Sequence, residues 1–430
     1  MSLIVLNHIV LIASLALYAL LATSFFWVLF AHLVHRHGHM AREASLLATP
    51  LPGELPHVLV QLPTFNEGAL IKRLAARVGQ MHWPRDRLHI QILDDSTDGS
   101  ERHAHEAAAA LRAEGLDAVV LHRTQRNGYK AGALAGGLRH STADYVAILD
   151  ADYLPAPDFL EQCIRPFLAD PRLALVQARC DYLNGGENII TQAQQRILDA
   201  HYAIEQPARS WAGQILPFNG TCGMWRRAAL DAAGDWEGDT LAEDMDVSYR
   251  AQLTGWRALF LISVTVPGEL PRSFSDWRQQ QFRWTKGSAQ VARKLLPAVW
   301  RSSVPLGAKI GATFHLGMGA FGPLLLIVLV TGIIEQVWGH GLSQAAVILF
   351  LLAAAEMIAG PALLQLTGQA LTRRGRVLHE IVQVPVVLGL QLAVGLANLR
   401  GAVEALFGHG STFVRTAKQG ATPDTGVTPA

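Results

Sequence analysis

Only three of the 430 residues are cysteine, Cys163, Cys180 and Cys222, and they are isolated, without an even pairing or metal-ligand spacing. That excludes a disulfide framework and fits a reducing compartment, where each thiol packs as a small apolar group. Surplus charge is missing as well. Lys and Arg number 36 against 35 Asp and Glu, a net +1, whereas a nucleic-acid binder concentrates extra cations on one face. No nucleic-acid partner is expected. Residues 3–33 contain no Asp, Glu, Lys or Arg, and about 20 apolar residues are enough to cross a bilayer. A secretory signal would have a shorter apolar region and a small-residue cleavage site; here Ala22-Thr23-Ser24 runs straight into Phe25-Phe26-Trp27, which predicts a retained anchor.

Arg36 and Arg42 follow this run and nothing basic precedes it, so the positive-inside rule puts the next segment in the cytoplasm. Residues 58–62 read as a buried strand stopping at Pro63, and strands at 90–93, 118–121 and 145–149 alternate with helices at 67–80, 100–114 and 130–138. Such alternation predicts an α/β domain with a mostly parallel sheet, whose ligands bind beyond the carboxyl ends of the strands. Residues 276–296 mix Gln, Arg and Lys with Trp277, Phe282, Trp284, Val291 and Leu295, the pattern of a helix lying at a membrane interface. Apolar runs follow at 316–334, 345–366 and 381–399. The basic loop at Arg373, Arg374 and Arg376 reads as cytoplasmic, and so does the tail with Arg400, Arg415 and Lys418. One span cannot separate two cytoplasmic regions. Either 381–399 is re-entrant or interfacial, or one of these charge readings fails.

Two acidic pairs fall at strand ends. Asp150 and Asp152 can present carboxylates to Mg²⁺ or Mn²⁺, a hard cation whose shell is completed by phosphate and water. Asp94 and Asp95 can accept hydrogen bonds from a nucleobase or ribose, although Ser96 or Asp98 can equally cap the helix that follows. Lys130 opens a helix beside a glycine-rich turn, where a cation and free amides both favour phosphate. Glu243-Asp244-Met245-Asp246 supplies a carboxylate base for an acceptor hydroxyl, or simply an acid-rich helix start. Gln280, Arg283 and Trp284 share a helix face, with guanidinium suited to diphosphate and indole to a pyranose. Singly, each has a plainer reading as surface or cap. Their order along the chain is what proposes nucleotide-sugar chemistry.

That order, Asp94-Asp95, Asp150-Ala151-Asp152, Glu243-Asp244 and Gln280-Gln281-Phe282-Arg283-Trp284, resembles the D, DxD, TED and QxxRW pattern of the processive family 2 glycosyltransferases, the cellulose synthase superfamily. Longer stretches are similar to its plant cellulose synthase-like A and C members, the glucomannan and xyloglucan-backbone synthases: Leu62-Pro63-Thr64-Phe65-Asn66-Glu67, Gly128-Tyr129-Lys130-Ala131-Gly132 and Phe218-Asn219-Gly220-Thr221. The resemblance implies a GT-A-like nucleotide-sugar-binding domain inserted between transmembrane helices. Asp94 and Asp95 would contact the nucleoside, while Lys130, Asp150 and Arg283 would hold the nucleotide. Asp152 would bind Mg²⁺ or Mn²⁺, and Asp244 would be the base. Phe218, Asn219, Thr221, Gln280 and Trp284 would meet the acceptor. Phe413, Thr416 and Lys418 resemble a gating loop, with Arg415 where valine is usual. Ala242 stands where the family has the threonine of TED.

The expected division is an anchor and linker at 1–50, a cytoplasmic catalytic domain at 51–272, an interfacial helix at 273–300, a transmembrane region at 301–410 and a cytoplasmic tail at 411–430. The implied activity is inverting transfer from UDP-glucose or GDP-mannose to a growing β-linked polysaccharide, in a multi-pass protein of the cell membrane. Alternatives are transfer of one or a few sugars to a membrane glycolipid and, from another class, a non-catalytic membrane scaffold. Apolar runs fewer than in bacterial cellulose synthases make an export partner an expectation for a polymer product.

Overall fold

The computed structural model describes residues 3–338, 341–373, 377–408 and 420. The gating-loop-like residues Phe413, Thr416 and Lys418 lie outside them. Seven strands form one sheet: β1 (Val58–Thr64), β2 (Leu88–Asp94), β3 (Asp117–His122), β4 (Tyr145–Ile148), β5 (Leu173–Tyr182), β6 (Gly223–Arg226) and β7 (Arg257–Gly268), in the order β3-β2-β1-β4-β6-β5-β7. β1 to β4 are mutually parallel, β6 runs antiparallel to β4 and β5, and β7 is parallel to β5. Every residue of β4 is buried, as are the inner positions of β1 and β2, which is why these segments are continuously apolar instead of alternating. The mostly parallel α/β architecture expected from the sequence is the one observed.

Helices cover both faces of the sheet: α1 (Leu3–Leu47), α2 (Leu70–Gly79), α3 (Glu101–Ala113), α4 (Tyr129–Leu138), α5 (Phe159–Ala169), α6 (Ile189–Ala200), α7 (Gln206–Trp211), α8 (Arg227–Ala232) and α9 (Glu243–Leu253) belong to or flank the domain. α2 starts later than its periodicity suggests because Asn66 (φ 55°) and Gly68 (φ 55°) are left-handed, which delays regular helix until the following turn. The Asp98 side chain accepts from Ser100 N–H at 3.0 Å and leads into α3, while Ser96 Oγ accepts from Asn66 N–H at 2.9 Å instead of capping a helix. α4 begins after left-handed Gly128 (φ 70°), and Gly132 packs so tightly on this turn that a Cβ there would collide with the Asn127 carbonyl.

α10 (Phe274–Arg301) joins this domain to the apolar helices α11 (Leu306–Gly317), α12 (Phe321–Trp338), α13 (Gln344–Thr372) and α14 (Val377–Leu406). Val291, Leu295 and Val299 of α10 bury themselves against Tyr249, Ile215, Ala312 and Leu316, each contributing on the order of 1.5–3 kcal/mol by leaving water. By length and composition, the segments Leu3–Leu47, Leu306–Trp338, Gln344–Thr372 and His379–Ala405 are each long and apolar enough to cross a membrane. α14 nevertheless meets the α/β domain near its start and α10 near its end. Glu380 pairs with Arg196 of α6 at 2.8 Å, and Glu404 pairs with Lys286 of α10 at 2.7 Å.

Gly132→Ala is expected to cost about 1–3 kcal/mol, because the added methyl must displace backbone in the turn that carries Lys130. Thermal unfolding of the purified protein measures it; an unchanged midpoint would remove the argument for a sterically closed turn.

Candidate active site

Parallel strands deliver β2, β4 and the loop before β6 to one edge, where a cavity of about 260 Å³ opens. Asp95 directly follows β2 and its carboxylate takes a two-pronged pair from Arg123, Nε at 2.7 Å and Nη2 at 2.6 Å. Arg126 approaches the same carboxylate at 3.7 Å, lies 3.3 Å over the Phe65 ring and lines the cavity. Asp94 faces elsewhere. Its buried carboxylate bonds His122 Nδ1 at 2.6 Å and Ser96 N–H at 3.2 Å, so of the two aspartates only Asp95 lines the cavity.

Asp150 and Asp152 leave β4 into the cavity, with Asp150 N–H donating to Thr221 Oγ1 at 2.9 Å. Lys130 Nζ, at the head of α4, donates to Asp150 and, at 2.9 Å, to the Gly220 carbonyl. Burial works against its ammonium, yet Asp150 and Glu243 hold its pKa above the ordinary lysine value. Asn219 and Thr221 line the cavity too, whereas Phe218 is buried beneath it, edge-on to Trp225 with ring centres 5.8 Å apart.

Asp244 sits in the first turn of α9, and its Oδ1 accepts from Met245 N–H at 2.8 Å. A Cβ built on Gly220 (φ 77°) would lie 2.9 Å from Asp244 Oδ2 and 3.6 Å from Lys130 Nζ. Glycine therefore admits the Asp244 carboxylate and the lysine to one spot. Burial first, then the charge of Glu243, pushes the Asp244 carboxyl up to about 7. A carboxylate so tuned holds a transferred proton far better than an exposed one.

α10 forms the remaining wall. Gln280, Arg283 and Trp284 all line the cavity. Further along the same face, a Cβ on Gly287 would come within 2.9 Å of both the Ala242 Cβ and its backbone nitrogen. Gln290 Oε1 then accepts from Leu241 N–H at 2.8 Å, and Lys294 reaches Glu237 at 2.6 Å, Asp239 at 2.8 Å and Asp246 at 2.8 Å. Spacings of three and four residues place all of these on one helical face. The helix that carries Arg283 and Trp284 thus also fixes the loop ahead of Asp244.

Lining residues that had no assigned role include Thr64 at the end of β1, Phe65 and Glu67 after it, Arg126, and Glu269 after β7. Glu269 belongs to Glu269-Leu270-Pro271, a run quotable from the sequence, whereas isolated Arg126 carries no motif. Seven acids and three bases line the cavity, so an anionic diphosphate needs a cation to enter it. Among the described residues no cluster of three or more His, Cys, Asp or Glu forms a ready metal cage. Asp150 and Asp152 fit a cation whose other ligands come from phosphate and water.

Residues 56–287 match the family model described as glycosyltransferase like family 2. The chain belongs to that family. The chain is 43% identical over 251 residues to glucomannan 4-beta-mannosyltransferase 7 of Arabidopsis thaliana, covering 57% of this chain and 45% of that one. To glucomannan 4-beta-mannosyltransferase 1 of Oryza sativa subsp. japonica it is 42% identical over 274 residues, covering 60% and 51%. These likenesses place it in the cellulose synthase superfamily, as the motifs suggested. The chain spans about half the length of these plant relatives. The fold also matches mannosyltransferase PcManGT from Pyrobaculum calidifontis, solved with GDP-Man and Mn²⁺, at TM-score 0.58 and 23% identity over 92% of this chain and 99% of that one.

Asp244→Asn should leave nucleotide binding within about threefold and reduce transfer by at least about 10³-fold, the scale on which a general base contributes. In the parent protein, transfer should fall as pH drops through about 7, the side on which Asp244 takes up a proton. Initial rates across pH test both: substantial turnover by the Asn variant, or a flat acid limb, removes Asp244 from the role of base.

Proposed function

We propose that the chain is an inverting, metal-dependent glycosyltransferase that moves a mannosyl residue from GDP-mannose to an acceptor hydroxyl at the cytoplasmic face of a membrane. The observation that carries this is the meeting of Asp244, Lys130 and Gly220 in the cavity that also receives Asp150, Asp152 and Arg283. Mannose is favoured over glucose by the names of the plant relatives and by the nucleotide in the archaeal neighbour. A catalytic role is favoured over a scaffold because base, acid pair and lid residues line one cavity.

In this reading Asp95 and the Arg126–Phe65 stack border the nucleoside, while Lys130 and Arg283 hold the diphosphate. Asp152, helped by Asp150, would hold Mg²⁺ or Mn²⁺, which when bound neutralises charge on the departing diphosphate. Trp284 offers its indole face to the acceptor sugar, and Gln280 and Asn219 border it. Asp244 accepts the acceptor hydroxyl proton as that oxygen bonds to the anomeric carbon from the side opposite the nucleotide. The bond from that carbon to the diphosphate oxygen breaks, and the nucleoside diphosphate leaves.

The ties at both ends of α14 support an interfacial or re-entrant placement for this helix, leaving α1, the α11–α12 segment and α13 as the crossing elements. With that count, the loop after α13 and the tail both face the cytoplasm, in keeping with their basic residues. The catalytic domain at 51–272 then lies between the anchor and the interfacial helix.

Membranes containing the protein should incorporate label from GDP-mannose and not from UDP-glucose, lose this with EDTA and regain it with Mn²⁺ or Mg²⁺. Incorporation from UDP-glucose alone would overturn the donor, and activity insensitive to EDTA the metal. A cysteine placed at Gly408 should react with an impermeant thiol reagent only from the cytoplasmic side; labelling from outside would make α14 a crossing helix.

A further inference from the structure

Trp284 belongs to two cavities. On its membrane side a second one, of about 290 Å³, lies between α10, the turn into α12 and α14. Thr285 and Ser288 of α10, Gly319 and Gly322 of the turn, and Gly395 and Asn398 of α14 form most of its wall. A Cβ on Gly395 would meet nothing within 4 Å, so this glycine faces open space and not a close neighbour. Asn398 is only 4% exposed, yet its Oδ1 has no hydrogen-bond partner among the described residues. A buried amide left unpaired is costly, and a ligand group that pairs with it removes that cost.

The wall is suited to one kind of occupant. A sugar chain carries several hydroxyls per residue and would leave most of them unpaired against glycine, Met318, Phe321 and Leu399. A hydrocarbon chain needs no such partners and gains from every methylene removed from water. The groove is bounded by α12 and α14, whose other faces expose Leu326, Ile327, Leu392 and Leu396, so it lies where lipid is at hand. Its single amide matches a molecule with one polar junction between chain and head.

We propose that this groove binds the hydrocarbon chain of a lipid-linked acceptor, whose sugar head stacks on Trp284 and presents its hydroxyl to Asp244. Asn398 takes the polar linkage between chain and head. This rests on the transfer reading given above and names the acceptor class for the same site.

The purified full chain in nanodiscs, given Mn²⁺ and GDP-mannose, tests it with β-mannosides bearing ethyl, octyl or dodecyl aglycones and with free mannobiose. Acceptor KM should fall by about tenfold or more from ethyl to dodecyl, as burial of methylenes requires. In Gly395→Leu, whose side chain fills the open groove, the dependence on chain length should disappear, and Asn398→Leu should weaken binding of every aglycone-bearing acceptor. A KM indifferent to the aglycone in the parent protein overturns the proposal without any variant. So does a chain-length dependence that survives Gly395→Leu, since it would then reflect partition into the bilayer. Nucleotide release is followed throughout. Release with every acceptor but no aglycone effect sinks the groove alone; no release under any condition sinks the transfer reading with it.

Discussion

Seven carboxylic acids and three bases line the cavity at the strand ends, and in the proposed reaction a diphosphate must enter it. Much of the surrounding structure answers this imbalance. Lys130 is paired with Asp150 and donates to the Gly220 carbonyl, so part of its charge is already met by an acid, and Arg123 is committed to Asp95. Burial first, with Asp150 near Glu243 and Glu243 near Asp244, raises both of these carboxyls above their ordinary values in spite of Lys130. The same crowding that calls for a cation therefore also adds to the rise of the Asp244 carboxyl, which suits it to the proposed role of base. A site with fewer acids would admit a diphosphate more easily, and Asp244 would lose only the rise that neighbouring charge adds to burial.

The second organising element is the face of α10. Gln280 and Arg283 contact the cavity, Gly287 allows backbone approach to Ala242, and Gln290 and Lys294 anchor the loop from Glu237 to Leu241. The opposite side of the helix is held by α14 through the buried Lys286–Glu404 pair. Breaking such a pair leaves a desolvated ammonium, so it constrains geometry more than it adds stability. The loop ahead of Asp244 and the apolar helix α14 are thereby clasped by one continuous helix.

The sheet and the acid pairs were legible in the sequence because buried parallel strands are continuously apolar and because both pairs come directly after such strands. Side-chain direction was not. Asp94 and Asp95 are adjacent and chemically alike, yet successive residues of an extended strand face opposite ways, so one meets His122 and the other the cavity. Phe218 opens a motif whose next residues line the site, while its own ring belongs to the core beside Trp225. Arg126 acquires its place by stacking on Phe65, a partner 61 positions earlier that no local pattern reveals. Hydropathy located α14 and could not place it, since that depends on ion pairs to Arg196 and Lys286 formed only in the folded chain.

The contact between Gly287 and Ala242 has a consequence for substitution. A Cβ at position 287 would press on the backbone of Leu241 and Ala242 as well as on the Ala242 methyl. No exchange at 242 alone makes room for it, so α10 and the loop ahead of Asp244 can accept a side chain at 287 only by moving apart.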